Sequence, residues 1–517
     1  MDVLGFGEIM LEEMPFEPTD QQIQLTAALA RFCSAETPSD SVFILNGYAG
    51  TGKTSVMGAL VRSLHRVGVH TMLLASTGRA AKVLSSFTGF PAHTIHRQIY
   101  TSGSFNSDGS PTMAKINHNP HVNTIFIVDE ASMIGEGNDG GMNLLQDLVM
   151  YVYTGQNCKL ILLGDTAQLP PVGSSESPAM SAAAFKAMGL RVTRATITRT
   201  VRQKQRSGIL YNATWLRRAM KQEQLPEPQL TVSRFDDVEV VIPEDMEDEL
   251  GKSFSEYGED QTIIITRSNR RAVDFNLAVR KQIFDREEIL SKGDRLLISK
   301  NNYYWPNRHR KLMAEQASRG EGSSVQVGTS PVFEPRPGGV ARPDDRPLAD
   351  IPPVGNGRVP YFLANGEVAV VEEILSTETR DMIVFADVTL WLPDSDSRIN
   401  AKIVVDSLTA ETAGLPRDKV ETIGRRTLLE ADRVYASPSY QREALRNCPY
   451  FNALQVKYAY AVTCHKAQGG QWDSVFVDMG YIPPEAYLSL DFYRWLYTSV
   501  TRATRRLFLL NPTCRII

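Results

Sequence analysis

Residues 47–54 read Gly-Tyr-Ala-Gly-Thr-Gly-Lys-Thr, a complete G-x-x-x-x-G-K-T loop whose spacing suits one kind of chemistry. The glycines let the backbone curl, so that successive N–H groups point inward at phosphate oxygens. Lys53 can reach the β- and γ-phosphates of a nucleoside triphosphate, and Thr54 can ligate the accompanying Mg²⁺. We therefore predict a site for ATP and Mg²⁺. The predicted nucleotide-binding residues of this loop are Gly47, Gly50, Gly52, Lys53, Thr54 and Ser55.

Two carboxylates follow the apolar run 125–128, later in the chain than the loop. In enzymes with such a phosphate loop, the first acid holds the Mg²⁺ through water, and the second can polarise the attacking water as a general base. We therefore assign the metal to Asp129 and the base to Glu130. Taken alone, an apolar run followed by Asp-Glu would also fit a solvated strand end, but its place after the phosphate loop favours the functional interpretation.

A third string, Gly-Asp-Thr-Ala-Gln-Leu-Pro-Pro-Val-Gly at 164–173, follows another apolar run. The Gln168 side chain is suitably placed to sense a γ-phosphate by hydrogen bonding. The paired prolines fix the backbone of the loop and keep it from continuing as a helix. A plain turn rich in Gly and Pro would explain the prolines but not the whole string.

Short apolar strands must hold these loops in place. Between 41 and about 200 such strands alternate with helical stretches, which predicts a parallel sheet with helices on both faces. Ligands of such sheets bind in the loops at the carboxyl ends of the strands. The predicted strands are 41–45, 71–75, 124–128, 159–163 and 194–198.

A second α/β set begins with a strand at 262–266 and a helix around 268–282, and it includes a strand at 295–299. The stretch 316–360 then interrupts it. This stretch is rich in Gly, Ser and Pro, and we predict a long, partly disordered loop there. Strand-like runs inside the interruption predict a small β module, and the α/β pattern resumes near 456. The runs of the module are 367–373, 381–391 and 401–405, and the later α/β strands are 474–478 and 506–510.

Composition limits the range of functions. The chain has 517 residues with a net charge of −4, so overall charge gives no support to nucleic-acid binding, which would need a local basic groove. Five scattered cysteines without a C-x-x-C pair indicate a reducing compartment and argue against structural zinc. The N-terminus up to Met14 is acidic, unlike a signal peptide, and no apolar run approaches the roughly 20 residues that cross a bilayer.

In their order along the chain, these motifs resemble superfamily 1 helicases. More narrowly, they are similar to the 5′→3′ branch (superfamily 1B) that includes RecD-, Dda- and Pif-type DNA helicases. Asp-Glu-Ala-Ser at 129–132, followed by Gly-Asp-x-x-Gln-Leu-Pro-Pro-Val, carries the resemblance, which extends over most of the chain. The further matching strings are Thr19–Gln22 (the adenine-reading Q motif), Ala75–Ala81 (motif Ia), Thr94–His96 (the short motif after it), Arg202 with Gln203 (motif IV), Thr463–Gly469 (motif V) and Tyr497–Ala503 (motif VI).

The resemblance implies a fold class. It predicts two RecA-like parallel-sheet domains, with a small hairpin insertion in the first and an SH3-like β insertion in the second. Leu363–Glu367 resembles the start of the SH3-like module. The implied boundaries are 1–200 for domain 1A, near 97–122 for its 1B insertion, 201–300 plus 456–517 for domain 2A, and 301–455 for the inserted 2B domain with its Pro/Gly-rich loop 316–360.

The resemblance also implies roles in hydrolysis. Gln22 would contact the adenine. Arg202 and Arg502 would be arginine fingers that reach the γ-phosphate from the second domain, an interaction typically worth about 10³–10⁵ in rate. A surface salt bridge is the alternative for each arginine. With such fingers, ATP closes the cleft and product release opens it, which turns hydrolysis into stepping along a strand.

Contacts to nucleic acid are implied at a second group of residues. Each side chain could contact a phosphate or sugar of the nucleic acid. The alternative is that it only bonds to the backbone of its own loop or caps a helix. Lys466 could contact either DNA or the nucleotide cleft. Phe105, in the predicted hairpin, is either a wedge that caps the last base pair or an incidental Phe in a mobile loop. The positions that face the nucleic-acid strand in the family correspond to Thr77, His96, Thr463 and His465.

The implied activity is that of an ATP- and Mg²⁺-dependent helicase that moves 5′→3′ on single-stranded DNA and separates duplex. Its partners would be single-stranded and fork DNA, with single-strand-binding or replisome proteins as candidates. We expect a cytoplasmic, nucleoid- or replication-associated monomer without a membrane partner. Two alternatives stay open: an RNA helicase of the same superfamily, and a nucleotide-gated DNA-binding subunit of a larger repair complex. A metabolic phosphate-loop kinase leaves residues 456–505 unexplained.

Overall fold

A computed structural model describes the chain except at residues 1, 101–115, 136–142, 172, 200–206, 321–359, 361, 413 and 435. The described residues fall into two compact units. One is built from the chain up to Glu287 together with Ala459–Ile517, and the other from Glu288–Tyr458.

Six strands open the first unit: β1 (Ser41–Gly47), β2 (His70–Ala75), β3 (Ala92–Thr94), β4 (Thr124–Asp129), β5 (Lys159–Gly164) and β6 (Arg191–Ile197). They form one parallel sheet in the order β3-β2-β4-β5-β1-β6. All five strands predicted before residue 200 are confirmed, and β3 was not predicted. The helices of this region are α1 (Val3–Glu12), α2 (Asp20–Cys33), α3 (Lys53–Arg66), α4 (Gly78–Thr88), α5 (Ile95–Ile99), α6 (Leu144–Thr154) and α7 (Ala182–Ala187).

Strand β1, which lies between β5 and β6, shows why the sheet has helices on both faces. Successive side chains of a strand point to opposite faces, and every residue of β1 is buried. Phe43 and Leu45 join an apolar layer with residues of α1, α2, α3 and α4. Val42 and Ile44 join the opposite layer, with residues of α5, α6 and α7. Burial on both faces fixes β1, and with it the loop that follows Gly47.

The predicted hairpin insertion near 97–122 lies largely outside the described residues. Its two ends are described, and they meet. Tyr100 and Ile116 form an antiparallel bridge, and Asn117 donates its N–H to the Ile99 carbonyl at 2.7 Å.

Beyond residue 206 the first unit continues with α8 (Gly208–Ala219), β7 (Gln229–Leu230), β8 (Val238–Val241), α9 (Met246–Tyr257), β9 (Thr262–Thr266) and α10 (Asn269–Ala278). A π-helical turn over Val279–Ile283 extends α10. The predicted strand 262–266 and the helix after it are confirmed. Short 3₁₀ turns elsewhere in the chain are Ala131–Met133, Pro178–Met180, Pro243–Asp245, Pro393–Ser395 and Val405–Ser407.

The second unit is a closed β-barrel with helices. Its elements are β10 (Arg295–Ile298), α11 (Tyr304–Gly320), β11 (Val368–Arg380), β12 (Ile383–Leu392), β13 (Ser397–Val404), α12 (Arg417–Glu430), α13 (Pro438–Asn447) and β14 (Leu454–Tyr458). The strands close in the order β10-β11-β12-β13-β14, and this small barrel fits the predicted SH3-like insertion.

Two expectations about this region were wrong in detail. The strand at 295–299 was assigned to the second α/β set, but β10 pairs antiparallel with β11 and β14 in the barrel. A short, mostly apolar strand has the same sequence pattern in a parallel sheet and in a barrel. The pattern therefore does not indicate which strands it pairs with. The predicted loop 316–360 begins inside a helix, because α11 continues to Gly320.

The chain then completes the first unit with β15 (Ala461–Thr463), α14 (Cys464–Ala467), β16 (Trp472–Asp478), α15 (Pro484–Tyr487), α16 (Leu490–Val500), β17 (Ala503–Leu510) and β18 (Arg515–Ile516). A second parallel sheet has the order β15-β9-β16-β17-β8, and β18 pairs with β7. The predicted fold class, two parallel sheets with helices plus an inserted small barrel, is confirmed.

Candidate active site

The phosphate loop joins β1 to α3, so it lies at the carboxyl end of an inner strand and at a helix N-terminus. Gly50 and Gly52 have φ values of +75° and +80°, a left-handed conformation that favours glycine. At Gly47 a methyl group would come within 2.4 Å of Lys53 Cγ, so only glycine fits there. The Lys53 ammonium donates to the Gly47 carbonyl, which keeps its charge over the loop. Thr54 and Ser55 are half-buried in the first turn of α3.

Gln22 ties the first turn of α2 to the phosphate loop. Its side-chain oxygen accepts the N–H of Thr19 at 2.9 Å and so completes a capping box. Its amide group donates to the Thr51 carbonyl at 3.1 Å. The Gln22 side chain is therefore occupied at both ends, and its contact with adenine stays a prediction.

Asp129 and Glu130 stand at the carboxyl end of β4. The Glu130 N–H donates to Asp129 Oδ1 at 2.8 Å, and Glu130 has a φ of +52°. Burial raises the pKa of Asp129. Burial, followed by the charge of Asp129, raises the pKa of Glu130 to about 7, while the positive charges of Arg502 and Lys53 oppose this rise. A carboxylate with a pKa near neutral pH is suited to act as a general base.

Thr54 and Asp129 offer a hydroxyl and a carboxylate, the hard oxygen donors that Mg²⁺ prefers. Among the described residues, no group of three or more His, Cys, Asp or Glu side chains is arranged for a metal ion. Thr54 and Asp129 would suit an ion that takes its other ligands from phosphate and water, as in phosphate-loop enzymes. Such an ion would neutralise charge on the phosphate oxygens.

The loop after β5 carries Gln168, which is 6% exposed. Gln168 Oε1 is buried and has no hydrogen-bond partner among the described residues. Buried acceptors are nearly always paired, so this atom points to a donor supplied by a ligand or a water. The attacking water can supply that donor, whereas sensing of the γ-phosphate, whose oxygens only accept, would use the Gln168 amide NH₂ group.

Arg502 follows α16 and is 4% exposed. Its guanidinium donates to the carbonyls of Thr498 and Gly470 at 3.0 and 3.1 Å and to the Thr501 hydroxyl at 3.1 Å. Its charge nevertheless acts on Glu130, which lies at the end of the first sheet. Arg502 is therefore anchored beside the second sheet, and its charge is close enough to affect the predicted base Glu130.

Sequence reasoning missed a set of hydrogen bonds that joins the two sheets. The Tyr497 hydroxyl contacts both Ala49 of the phosphate loop and Asp165 after β5. Leu169 is held by Thr498 and by Gln468. The three residues that make these bonds lie within the motif V and motif VI strings, so the strings marked the region, but nothing in them indicated partners about 300 to 450 positions away.

The residues that are predicted to face the nucleic-acid strand have different surroundings. Thr77 accepts the Ala80 N–H at 3.2 Å and caps α4. Thr463 precedes α14 and makes no such side-chain cap bond. His96 and His465 are exposed at their outer edges, and the neighbouring groups still remove enough water from the His465 imidazole to lower its pKa. Burial also lowers the pKa of the half-buried Lys466.

Motif Ia and motif V, which carry Thr77 and Thr463, are packed together. The Arg79 guanidinium lies over the Trp472 ring, 4.1 Å from its centroid. Gly469 has a φ of +75°, and a methyl group there would lie 3.3 Å from the Ala80 side chain. The structure thus brings these two candidate regions together. Arg202 and Phe105 lie outside the described residues.

In the part of the chain that is described, no helix combines the length and the apolar character needed to cross a membrane.

Comparison with known families gives two matches. The AAA domain family matches residues 22–229, which include the phosphate loop and the two loops after it. The UvrD-like helicase C-terminal domain family matches residues 458–510, which include Arg502.

Known proteins give further similarities. The ATP-dependent RecD2 DNA helicase of Deinococcus radiodurans is 35% identical over 130 residues, which is 25% of this chain and 16% of that protein. The Pif1 helicase from Bacteroides in complex with ADP-AlF3 and ssDNA is 12% identical, with a TM-score of 0.43 over 96% of this chain and 92% of that one. The Pif1 helicase from Candida albicans is 15% identical, with a TM-score of 0.42 over 96% and 95%. The family matches and the sequence relative confirm the predicted resemblance to superfamily 1B helicases.

Proposed function

We propose that this chain is an ATP-dependent DNA helicase that moves 5′→3′ on single-stranded DNA and separates duplex. The observation that carries the proposal is the set of hydrogen bonds that joins the two sheets at the site, from Tyr497 to Ala49 and Asp165 and from Leu169 to Thr498. The same helix turn anchors Arg502, whose positive charge acts on the predicted general base at the end of the first sheet. A site divided between two sheets is what couples hydrolysis to movement, because closing and opening it displaces one sheet against the other.

In the proposed site the phosphate loop holds ATP. Lys53 binds the β- and γ-phosphates, while Thr54 and Asp129 hold the Mg²⁺. Glu130 orients and deprotonates the attacking water, and its raised pKa supports this role. Gln168 accepts a hydrogen bond from the attacking water through its unpaired Oε1, and its amide NH₂ group can donate to the γ-phosphate.

Arginine fingers complete the proposed hydrolysis. Arg502 stabilises the charge that develops on the departing phosphate, and Arg202 adds to it by resemblance to motif IV. The domain division proposed with them is 1–200 for domain 1A, 201–287 plus 459–517 for domain 2A and 288–458 for domain 2B, because β10 and β14 belong to the barrel and move the boundaries expected at 300 and 456.

In the proposed complex, the single-stranded DNA passes over motifs Ia and V. Thr77 and Thr463 suit contacts to phosphate or sugar, and the exposed rings of His96 and His465 could add to them. The packing of Arg79 on Trp472 supports a shared surface. Lys466 contributes charge, and Phe105 is retained as the proposed wedge at the fork.

The choice of DNA over RNA and the setting of the activity are also proposals. The RecD2 relative is a DNA helicase, which supports DNA, although this chain spans about 16% of that relative's length. We propose that the protein is a monomer in the cytoplasm, associated with the nucleoid or with replication. Single-strand-binding and replisome proteins are its proposed partners. All five cysteines are free thiols, which supports a reducing compartment.

Competition between DNA and RNA in a stimulated ATPase assay tests this proposal. The purified chain should hydrolyse ATP faster with single-stranded DNA, and single-stranded RNA should neither stimulate nor compete. Effective RNA stimulation would favour the RNA helicase instead. Strand separation is measured in the same preparation, because DNA-stimulated hydrolysis without unwinding would indicate the nucleotide-gated subunit.

A further inference from the structure

The Tyr497 hydroxyl joins the two loops that surround the predicted γ-phosphate position. It accepts the N–H of Ala49 in the phosphate loop at 3.0 Å and donates to Asp165 Oδ2 at 2.8 Å. The other carboxylate oxygen of Asp165 accepts the Ala167 N–H at 2.9 Å, within the loop that carries Gln168. Tyr497 and Asp165 are each 1% exposed. One buried hydroxyl therefore responds to the position of both loops.

The direction of these bonds is fixed by the protonation of Tyr497. Burial, followed by the negative charge of Asp165, raises the pKa of Tyr497 well above its ordinary value. The hydroxyl thus keeps its proton and donates to the carboxylate. A hydroxyl that donates and accepts at once is polarised by both partners, which strengthens each bond.

The position of Arg502 depends on the helix that carries Tyr497. Tyr497 and Thr498 lie in the last turn of α16, and the Thr498 carbonyl accepts Arg502 Nε at 3.0 Å. The Thr498 hydroxyl accepts the N–H of Leu169, so this turn is held against the first sheet at two points. The guanidinium is therefore positioned by a helix turn that docks through Tyr497 and Thr498.

We propose that Tyr497 is the positioning residue that sets Arg502 against the phosphate loop. The proposal rests on the proposed function, because it assigns Tyr497 a role in the hydrolysis that Arg502 assists. A shift of the phosphate loop or of the Asp165 loop moves the hydroxyl, the last turn of α16 and the guanidinium together. Removal of the hydroxyl leaves the Ala49 N–H and Asp165 Oδ2 without this partner and frees α16 to shift.

The variant Tyr497→Phe tests the hydroxyl while it keeps the buried ring. Its matched control is Tyr493→Phe. Tyr493 lies one turn earlier on α16, is 0% exposed and donates its hydroxyl to the Pro226 carbonyl, away from both loops. Both variants remove the hydroxyl of a buried ring on the same helix, which costs two hydrogen bonds at Tyr497 and one at Tyr493. We expect DNA-stimulated kcat to fall about 10²-fold in Tyr497→Phe alone, because a displacement of about 1 Å in a catalytic group can cost this much.

Two further measurements separate positioning from general damage. The Kd for a fluorescent ATP analogue should stay within about threefold of the parent value in Tyr497→Phe. The double variant Tyr497→Phe/Arg502→Ala should be no slower than Arg502→Ala, because Tyr497 acts through Arg502, whereas independent losses would multiply. Multiplied losses, an equal loss in Tyr493→Phe, or unchanged kcat in Tyr497→Phe would overturn the proposal while leaving the helicase assignment intact. A parent chain without ATP hydrolysis would overturn both.

Discussion

Gln468 donates its side-chain amide to the carbonyl of Leu169 at 2.9 Å, although the two residues lie 299 positions apart in the chain. The N–H of Leu169 is bound as well, since it donates to the Thr498 hydroxyl at 2.9 Å. Both polar backbone groups of Leu169 are thus satisfied by residues of motifs V and VI. Because Leu169 directly follows Gln168, these bonds fix the backbone beside the predicted phosphate sensor.

The variant Gln468→Met should destabilise the chain by about 1–3 kcal/mol, because it leaves the buried Leu169 carbonyl without its donor. Urea unfolding measures this difference. Gln24→Met is the control, since Gln24 is exposed on α2 and surface substitutions usually change stability by less than about 0.5 kcal/mol. Equal stability of the two variants would show that the Gln468 bond contributes nothing.

The variant Lys53→Ala should abolish ATP hydrolysis, because it removes the cation expected on the β- and γ-phosphates. The rate of phosphate release in the presence of single-stranded DNA measures this. Lys186→Ala, at an exposed site on α7, should retain the parent rate. Substantial turnover in Lys53→Ala would exclude the assigned nucleotide site.

The variant Arg502→Ala should reduce kcat by about 10³-fold or more while it changes nucleotide affinity little, because an arginine finger acts in the transition state. Stopped-flow binding of a fluorescent nucleotide and steady-state turnover give the two values. Arg505→Ala is the control, since Arg505 belongs to β17 and pairs with Asp473 at the surface. Parallel losses of binding and turnover in Arg502→Ala would argue against a finger.

The buried thiol of Cys464 should make stability fall at alkaline pH. Burial raises the pKa of Cys464 from 9.0 to about 12, so the unfolded thiol ionises first. The folded state then holds more protons than the unfolded state, and the free energy of unfolding falls as pH rises from about 9 toward 12. The contribution reaches about 1.4 kcal/mol per pH unit. Urea unfolding of Cys464→Ala should show a shallower decline, and an unchanged slope would contradict the expectation.

Much of the fold could be predicted from local sequence. Strand β1 is apolar from Val42 to Leu45 because both faces of the first sheet are covered, and such runs are visible without knowledge of their partners. Asp129 and Glu130 were found for the same reason, since they end an apolar run. The pairing of β10 could not be found, because a short apolar strand fits a parallel sheet or a barrel equally well. Helices α12 and α13 inside the insertion were also missed.

The candidate site was predictable as a set of residues but not as a set of contacts. Lys53 and Glu130 belong to strings whose spacing indicates their chemistry, whereas Arg502 was found through the resemblance of its string to motif VI. The bond from Tyr497 to Asp165 spans 332 positions and depends on how the two sheets meet, which no local pattern encodes. The Gln22 side chain caps α2, and this contact was not predicted either. The Thr-x-x-Gln pattern fits both a helix start and the adenine-reading motif, so the pattern alone does not distinguish them.

Unwinding of forked DNA with a single 5′ or 3′ tail tests the central claim most directly, because it measures strand separation and direction together. The purified chain with ATP and Mg²⁺ should separate the substrate with the 5′ tail, and Lys53→Ala should separate neither. Separation of the 3′-tailed substrate alone would contradict the proposed direction. ATP hydrolysis without separation of either substrate would contradict the helicase assignment itself.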